Sequence, residues 1–143
     1  MADYTSAVER SAPFEYVAMA SSGAQVRMAT KGTEGAFSPI ELLLASLGGC
    51  AAFGVERFLT RRAGEPVRLD IALSGDLESP TSNRLAGIDV TYAVETADGP
   101  VPEATLADAV RFAHTRSCTV SIALHDGVPV QIATAAGTPV PLG

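Results

Sequence analysis

The segment from Ser38 to Arg62 constrains this chain more than any other. Between Glu41 and Glu56 lie 14 residues without a charge, Leu42–Val55. The stretch is preceded by Ser38-Pro39-Ile40-Glu41, a strong helix start. Ser38 can cap, Pro39 suits the first helical position, and Glu41 sits where a capping box places its carboxylate. Leu42, Leu43, Leu44, Leu47, Cys50, Ala51, Val55 and Phe58 make the helix apolar on most of its circumference, which predicts burial on all sides. Its end is expected before Gly64-Glu65-Pro66, with Arg57, Arg61 and Arg62 favouring the negative end of the dipole. A membrane span needs about 20 apolar residues, so the uncharged run reads as a core helix and no membrane is expected as a partner.

A helix of this kind needs a core around it, and the composition supplies one. Of 143 residues, 47% are hydrophobic and only 18% charged, as in a globular domain and unlike a disordered chain. The length suits a single domain over residues 1–143. The net charge of -6 argues against nucleic acid as a partner, because no basic surplus meets phosphates. Met1-Ala2-Asp3-Tyr4 shows neither a basic region nor an apolar segment, which predicts a cytoplasmic protein.

Before the helix, the pattern predicts strands at Tyr4–Arg10, Phe14–Ala20 and Gln25–Thr30, the last two joined as a hairpin by Ser21-Ser22-Gly23. Lys31–Phe37 is a glycine-containing loop. After the helix, Val67, Leu69, Ile71 and Leu73 alternate strictly, as do Ile88, Val90, Tyr92 and Val94. The polar link Glu78–Asn83 joins these two strands. Pro102 opens a second helix with Leu106, Val110, Phe112 and Ala113 inward. Ser117-Cys118 breaks it and starts a short third helix ending near Asp126-Gly127, and Val128–Thr134 reads as a last strand. This order predicts an α+β fold with largely antiparallel pairing.

Two cysteines carry the chemical interest. Cys50 lies halfway along the apolar helix behind Gly48-Gly49. Each glycine costs about 1 kcal/mol of helix propensity against alanine, so a close approach of backbone or ligand is expected there. Cys118 falls at a helix N-terminus, where amide donors and the dipole favour a thiolate. The blander reading makes both small buried hydrophobes.

The segment Ser38-Pro-Ile-Glu-Leu-Leu-Leu-Ala-Ser-Leu-Gly-Gly-Cys50 resembles the first-cysteine motif of the OsmC/Ohr family of osmotically induced and organic-hydroperoxide-resistance proteins. Ser117-Cys118-Thr-Val-Ser-Ile-Ala-Leu124 resembles that family's second-cysteine motif. Length, element order and motif separation agree across nearly the whole chain. The resemblance implies antiparallel sheets around a long buried cysteine helix, in an intertwined homodimer. It implies a thiol peroxidase of organic, lipid-type hydroperoxides, with Cys50 peroxidatic and Cys118 resolving. No bound cofactor is implied, only an external dithiol reductant such as a lipoyl-type dithiol. An arginine near the N-terminal strands, Arg10 or Arg27 here, would stabilise the thiolate, and a glutamate would hold that arginine.

The chain departs from the pattern at two places. Ile40 follows Pro39 directly, and the glutamate comes one place later, at Glu41. Nine helical residues from Glu41 to Cys50 turn through about 180°, so Glu41 points away from the thiol and suits a capping role better. Thr119 stands where many members have proline. Both departures resemble the OsmC-like branch of the family.

Other constellations weigh less. Arg57 shares a face with Cys50 but lies about 10 Å along the axis. His114, His125, Cys50 and Cys118 match no common zinc spacing. Asp108 and Arg111 are placed to pair as surface charges. Neither a phosphate loop nor a hydrolase elbow is present. The alternative to an enzyme is an OsmC-like protein that binds a small hydrophobic ligand, with inert or redox-responsive cysteines.

Overall fold

The structure, a computed structural model, describes residues 2–143. Its strands are β1 (Ser6–Ala12), β2 (Glu15–Ala20), β3 (Gln25–Met28), β4 (Pro66–Leu77), β5 (Leu85–Thr96) and β6 (Gly99–Pro100). Its helices are α1 (Pro39–Arg62), α2 (Glu103–Phe112) and α3 (Thr119–Asp126), with a single π-helical turn at Ala113–Ser117. The fold is α+β, with two three-stranded sheets ordered β1-β2-β3 and β4-β5-β6. The chain divides into two compact units, one of residues up to Gly49 with Asp70–Ala93, the other of Cys50–Leu69 with Val94–Gly143.

In the first unit β1, β2 and β3 pair antiparallel, with Arg10 opposite Tyr16 and Tyr16 opposite Met28. The expected hairpin closes through Ser21–Gly23, where Gly23 adopts φ +91° and returns its N–H to Ala20 O. Phe14 is not the first residue of its strand, as the alternation suggested. It follows Pro13 in the turn, at φ +57°, and the register slips between Arg10 and Ala12. The loop after β3 folds back, with Phe37 exchanging backbone hydrogen bonds with Arg27 and Ala29. On β4 and β5, Leu69, Ile71, Leu73, Ile88, Val90 and Tyr92 are the more buried positions and their neighbours are exposed, as the alternation predicts, but Val67, expected on the same face, is 67% exposed at the start of β4.

α1 starts with the expected capping box. Ser38 N–H donates to Glu41 Oε1 at 2.9 Å, and Glu41 N–H donates to Ser38 Oγ at 3.2 Å. It ends where Gly64, at φ +129°, donates its N–H to Leu59 O. By length and mean hydropathy (1.5) α1 meets the measure of a membrane span. Leu47, Ala51, Val55 and Leu59 are nonetheless buried within the protein. Burial on all sides is not what the chain shows: Ile40 and Phe53 are exposed, Phe53 at 71%. Of the two glycines, Gly48 meets the side chain of Leu73, whereas Gly49 faces open space. The close approach is therefore by a side chain and at one of the two positions.

In the second unit Phe58 of α1 packs on Phe112 of α2, ring centroids 5.6 Å apart, and Arg62 lies over the Phe58 ring at 5.2 Å. α2 buries Ala109, and the π turn buries Ala113. The last strand expected at Val128–Thr134 is absent. Thr134 and Val140 return N–H groups to Thr138 O and Ile132 O, and one bridge joins Ala133 to Pro139. Pro129, Pro139 and Pro141 lack the donors that a longer ladder would need.

Candidate functional site

Cys50 and Cys118 both belong to the second unit. Cys50 is half-buried on α1, Cys118 is fully buried, and both are free thiols. The two are near enough for their thiols to hydrogen-bond. Cys118 has extended backbone geometry, φ -85° and ψ 99°, between the π turn and α3. It is the N-cap of α3, and its Sγ accepts the N–H of Ser121 at 3.3 Å. The chain reverses tightly to get there, with Cys118 N–H donating to Ala113 O at 2.7 Å.

The helix N-terminus does not win the electrostatic contest at Cys118. Burial pushes the thiol above its ordinary value of 9.0, and the Ser121 amide works against this without reversing it. Contact with Cys50 pushes in the same direction as burial. The expectation of a thiolate-favouring site at Cys118 is thus corrected: desolvation outweighs one amide hydrogen bond, and Cys118 is held as a thiol.

Ser121 escaped sequence reasoning, although it stands at the third helical position after a cap, where the amide meets a capping side chain. It is buried, and its hydroxyl meets His114 Nδ1 at 2.8 Å. Burial, with His125 nearby, holds the His114 imidazole below its ordinary 6.5. The four residues weighed for zinc do not assemble: among the described residues no group of three or more His, Cys, Asp or Glu comes together.

Among the other candidates, Arg27, Glu41, Asp108 and Arg111 have partners of their own. Arg27 donates to Glu15 Oε1 at 2.8 Å and to Glu34 O at 3.0 Å, tying β3 to β2 and to the following loop. Arg10 is exposed on β1. Glu41 is spent on the capping box, and its hydrogen bonds to Ser38 hold the carboxyl below its ordinary 4.5. Arg57 lines a shallow recess with Phe58, Arg61, Arg62 and Phe112. Asp108 and Arg111 pair at 2.9 Å in solvent, as their spacing predicts.

Against known proteins, the family profile described as OsmC-like protein matches residues 32–133, a span that includes both cysteines. The chain belongs to the OsmC-like family. Uncharacterised proteins of Mycobacterium tuberculosis and Mycobacterium bovis are 32% identical to this OsmC-like chain over 68 residues, 48% of it. The aligned stretch spans about half (50%) of the length of these curated relatives. Among solved structures, a hypothetical protein of Aquifex aeolicus superposes with a TM-score of 0.74 at 24% identity, covering 90% of this chain and 91% of that one. An organic hydroperoxide resistance protein of Legionella pneumophila superposes with a TM-score of 0.65 at 18% identity, covering 91% and 96%. At these identities the structural matches establish the OsmC/Ohr fold.

Proposed function

We propose that this OsmC-like protein is a thiol-dependent peroxidase that reduces organic, lipid-type hydroperoxides to alcohols. The observation that supports this reading is the nearness of a partly exposed Cys50 and a buried Cys118. The Cys50 thiolate attacks the outer oxygen of the peroxide. A sulfur–oxygen bond forms, the oxygen–oxygen bond breaks, and the alkoxide leaves and takes up a proton as the alcohol. Cys118 then condenses with the Cys50 sulfenic acid to a disulfide and releases water. An external dithiol of lipoyl type reduces the disulfide by exchange. The protein would act as a homodimer, with Arg10 or Arg27 assisting the thiolate. For Arg27 that role competes with its ion pair to Glu15.

The test is a single turnover. Reduced protein, freed of reductant, receives one equivalent of cumene hydroperoxide, and residual peroxide and free thiols are measured. Rapid loss with both thiols consumed, abolished by Cys50→Ser, is the expected outcome. Cys118→Ser should still spend one equivalent and then stall. Loss no faster than with a free thiol would overturn the reading.

A second reading, binding of a small hydrophobic ligand without turnover, draws on one observation. The first unit has an open apolar recess of about 430 Å³ lined by Val8, Phe14, Tyr16, Met28 and Pro39 among others. An inert Cys50 in the turnover experiment would favour it.

A further inference from the structure

Ser121 is a costly residue for its place. It lies inside α3, where serine is a poorer helix former than alanine, and it is buried. A buried hydroxyl needs a partner, and this one has His114, whose Nδ1 stands 2.8 Å from Ser121 Oγ. The pair spans the reversal of the chain at Cys118. His114 belongs to the π turn on one side and Ser121 to α3 on the other, with Cys118 between them. Burial, with His125 nearby, keeps the His114 ring neutral at pH 7, so the tie is a neutral hydrogen bond.

α3 has only 8 residues, and a helix that short depends on its contacts to hold its shape. Its first turn supplies the amide that meets Cys118 Sγ, from Ser121 itself at 3.3 Å. One residue is thus fixed to His114 by its hydroxyl and to the Cys118 sulfur by its amide. The Cys118 thiol in turn hydrogen-bonds with Cys50. We propose that His114 is a positioning residue for the resolving step: through Ser121 it holds Cys118 where it meets Cys50, and so protects Cys50 from over-oxidation. The inference rests on the peroxidase reading above. A Cys50 sulfenic acid has two fates. In one, the Cys118 sulfur bonds the Cys50 sulfur, the sulfur–oxygen bond breaks, and the Cys118 proton leaves with the hydroxyl as water. In the other, a second hydroperoxide passes its outer oxygen to the sulfenic sulfur, which leaves a sulfinic acid and an alcohol. The first fate is intramolecular, and its rate follows the fraction of time that Cys118 spends in place. The second follows the peroxide concentration. Loosening the first turn of α3 moves the partition towards the second.

The experiment compares His114→Ala, His114→Asn and wild type in the full chain. Each reduced protein receives rising excesses of cumene hydroperoxide. Peroxide loss times the oxidation of Cys50, and mass spectrometry after quenching times the disulfide and counts the sulfinic acid. The expected result for His114→Ala is a ratio of disulfide formation to Cys50 oxidation lowered about tenfold, the size of one neutral hydrogen bond. Its sulfinic fraction should rise towards that of Cys118→Ser, in which no disulfide forms. His114→Asn carries an amide where Nδ1 stood and should recover most of the ratio. An unchanged ratio in His114→Ala would overturn the assignment to His114 and leave the peroxidase reading in place. So would an asparagine variant no better than alanine, which would reduce His114 to a packing role. A wild-type protein that consumes peroxide no faster than a free thiol would overturn both.

Discussion

At the scale of single residues, the two sulfurs differ in access, and burial holds one of them as a thiol. Cys118 is 0% exposed, and burial keeps its thiol above the ordinary 9.0. Cys50 is half-exposed. Iodoacetamide at pH 8 should therefore label one thiol per chain quickly, at Cys50. Cys118 should label only after unfolding, or at a pH well above that needed for an ordinary cysteine, since the thiolate fraction falls when a pKa rises. Peptide mapping by mass spectrometry reads the order, and faster labelling of Cys118 would reverse the assigned roles. The cysteines themselves were legible in the sequence because each stands in a distinctive segment. The balance at Cys118 was not, because the amide donors of a helix start are visible in a sequence while the desolvation opposing them depends on tertiary packing. Glu41 was legible for the opposite reason: a capping box is closed by residues three apart, Ser38 and Glu41.

At the scale of elements, the capping signals of α1 held, and strand signals held in part. β5 follows its alternation, β4 does so from Leu69 on while Val67 stands exposed, and α1 begins and ends at its capping residues. Val128–Thr134 alternates just as well, yet it forms no strand in the single chain because a strand requires an edge to pair with. The π turn gave no sequence signal, because its geometry is set where the segment crosses α1 at Gly54. That crossing makes a prediction. Alanine is the better helix former by about 1 kcal/mol, so an exposed glycine replaced in α1 should stabilise the protein. Gly54→Ala should do the reverse, since its Cβ overlaps Ser117 Oγ and presses on Ala113 at 3.0–3.1 Å. A net loss of about 1–3 kcal/mol is expected from overpacking of this kind. The double variant Gly54→Ala with Ser117→Ala should recover part of that loss, because the worst contact is gone. Urea midpoints for the four proteins of this cycle give the coupling directly. Additive effects would mean that the helices do not meet through these two side chains.

At the scale of the whole molecule, large apolar side chains stand exposed: Phe53 in the middle of the cysteine helix, and Val128, Val130 and Leu142 in the carboxy-terminal segment. Exposed apolar side chains of this size mark surfaces that another molecule covers. A second copy of the chain is the occupant expected from the twofold economy of most oligomers, in which one patch serves both partners. The protein should therefore sediment at twice its chain mass. Phe53→Glu is the informative variant, because Phe53 is solvent-exposed in the single chain and a carboxylate there does not disturb its core. If α1 lies in the interface, each dimer gains two buried Phe53 side chains, each contributing about 2 kcal/mol. The glutamate forfeits both contributions and adds charges to an apolar contact. The dissociation constant should then rise by at least two orders of magnitude, while circular dichroism of the monomer stays native. Sedimentation equilibrium over a hundredfold range of concentration measures both proteins. A wild-type chain that stays monomeric throughout would remove the dimer, and a Phe53→Glu dimer as tight as the wild type would move the interface away from the cysteine helix.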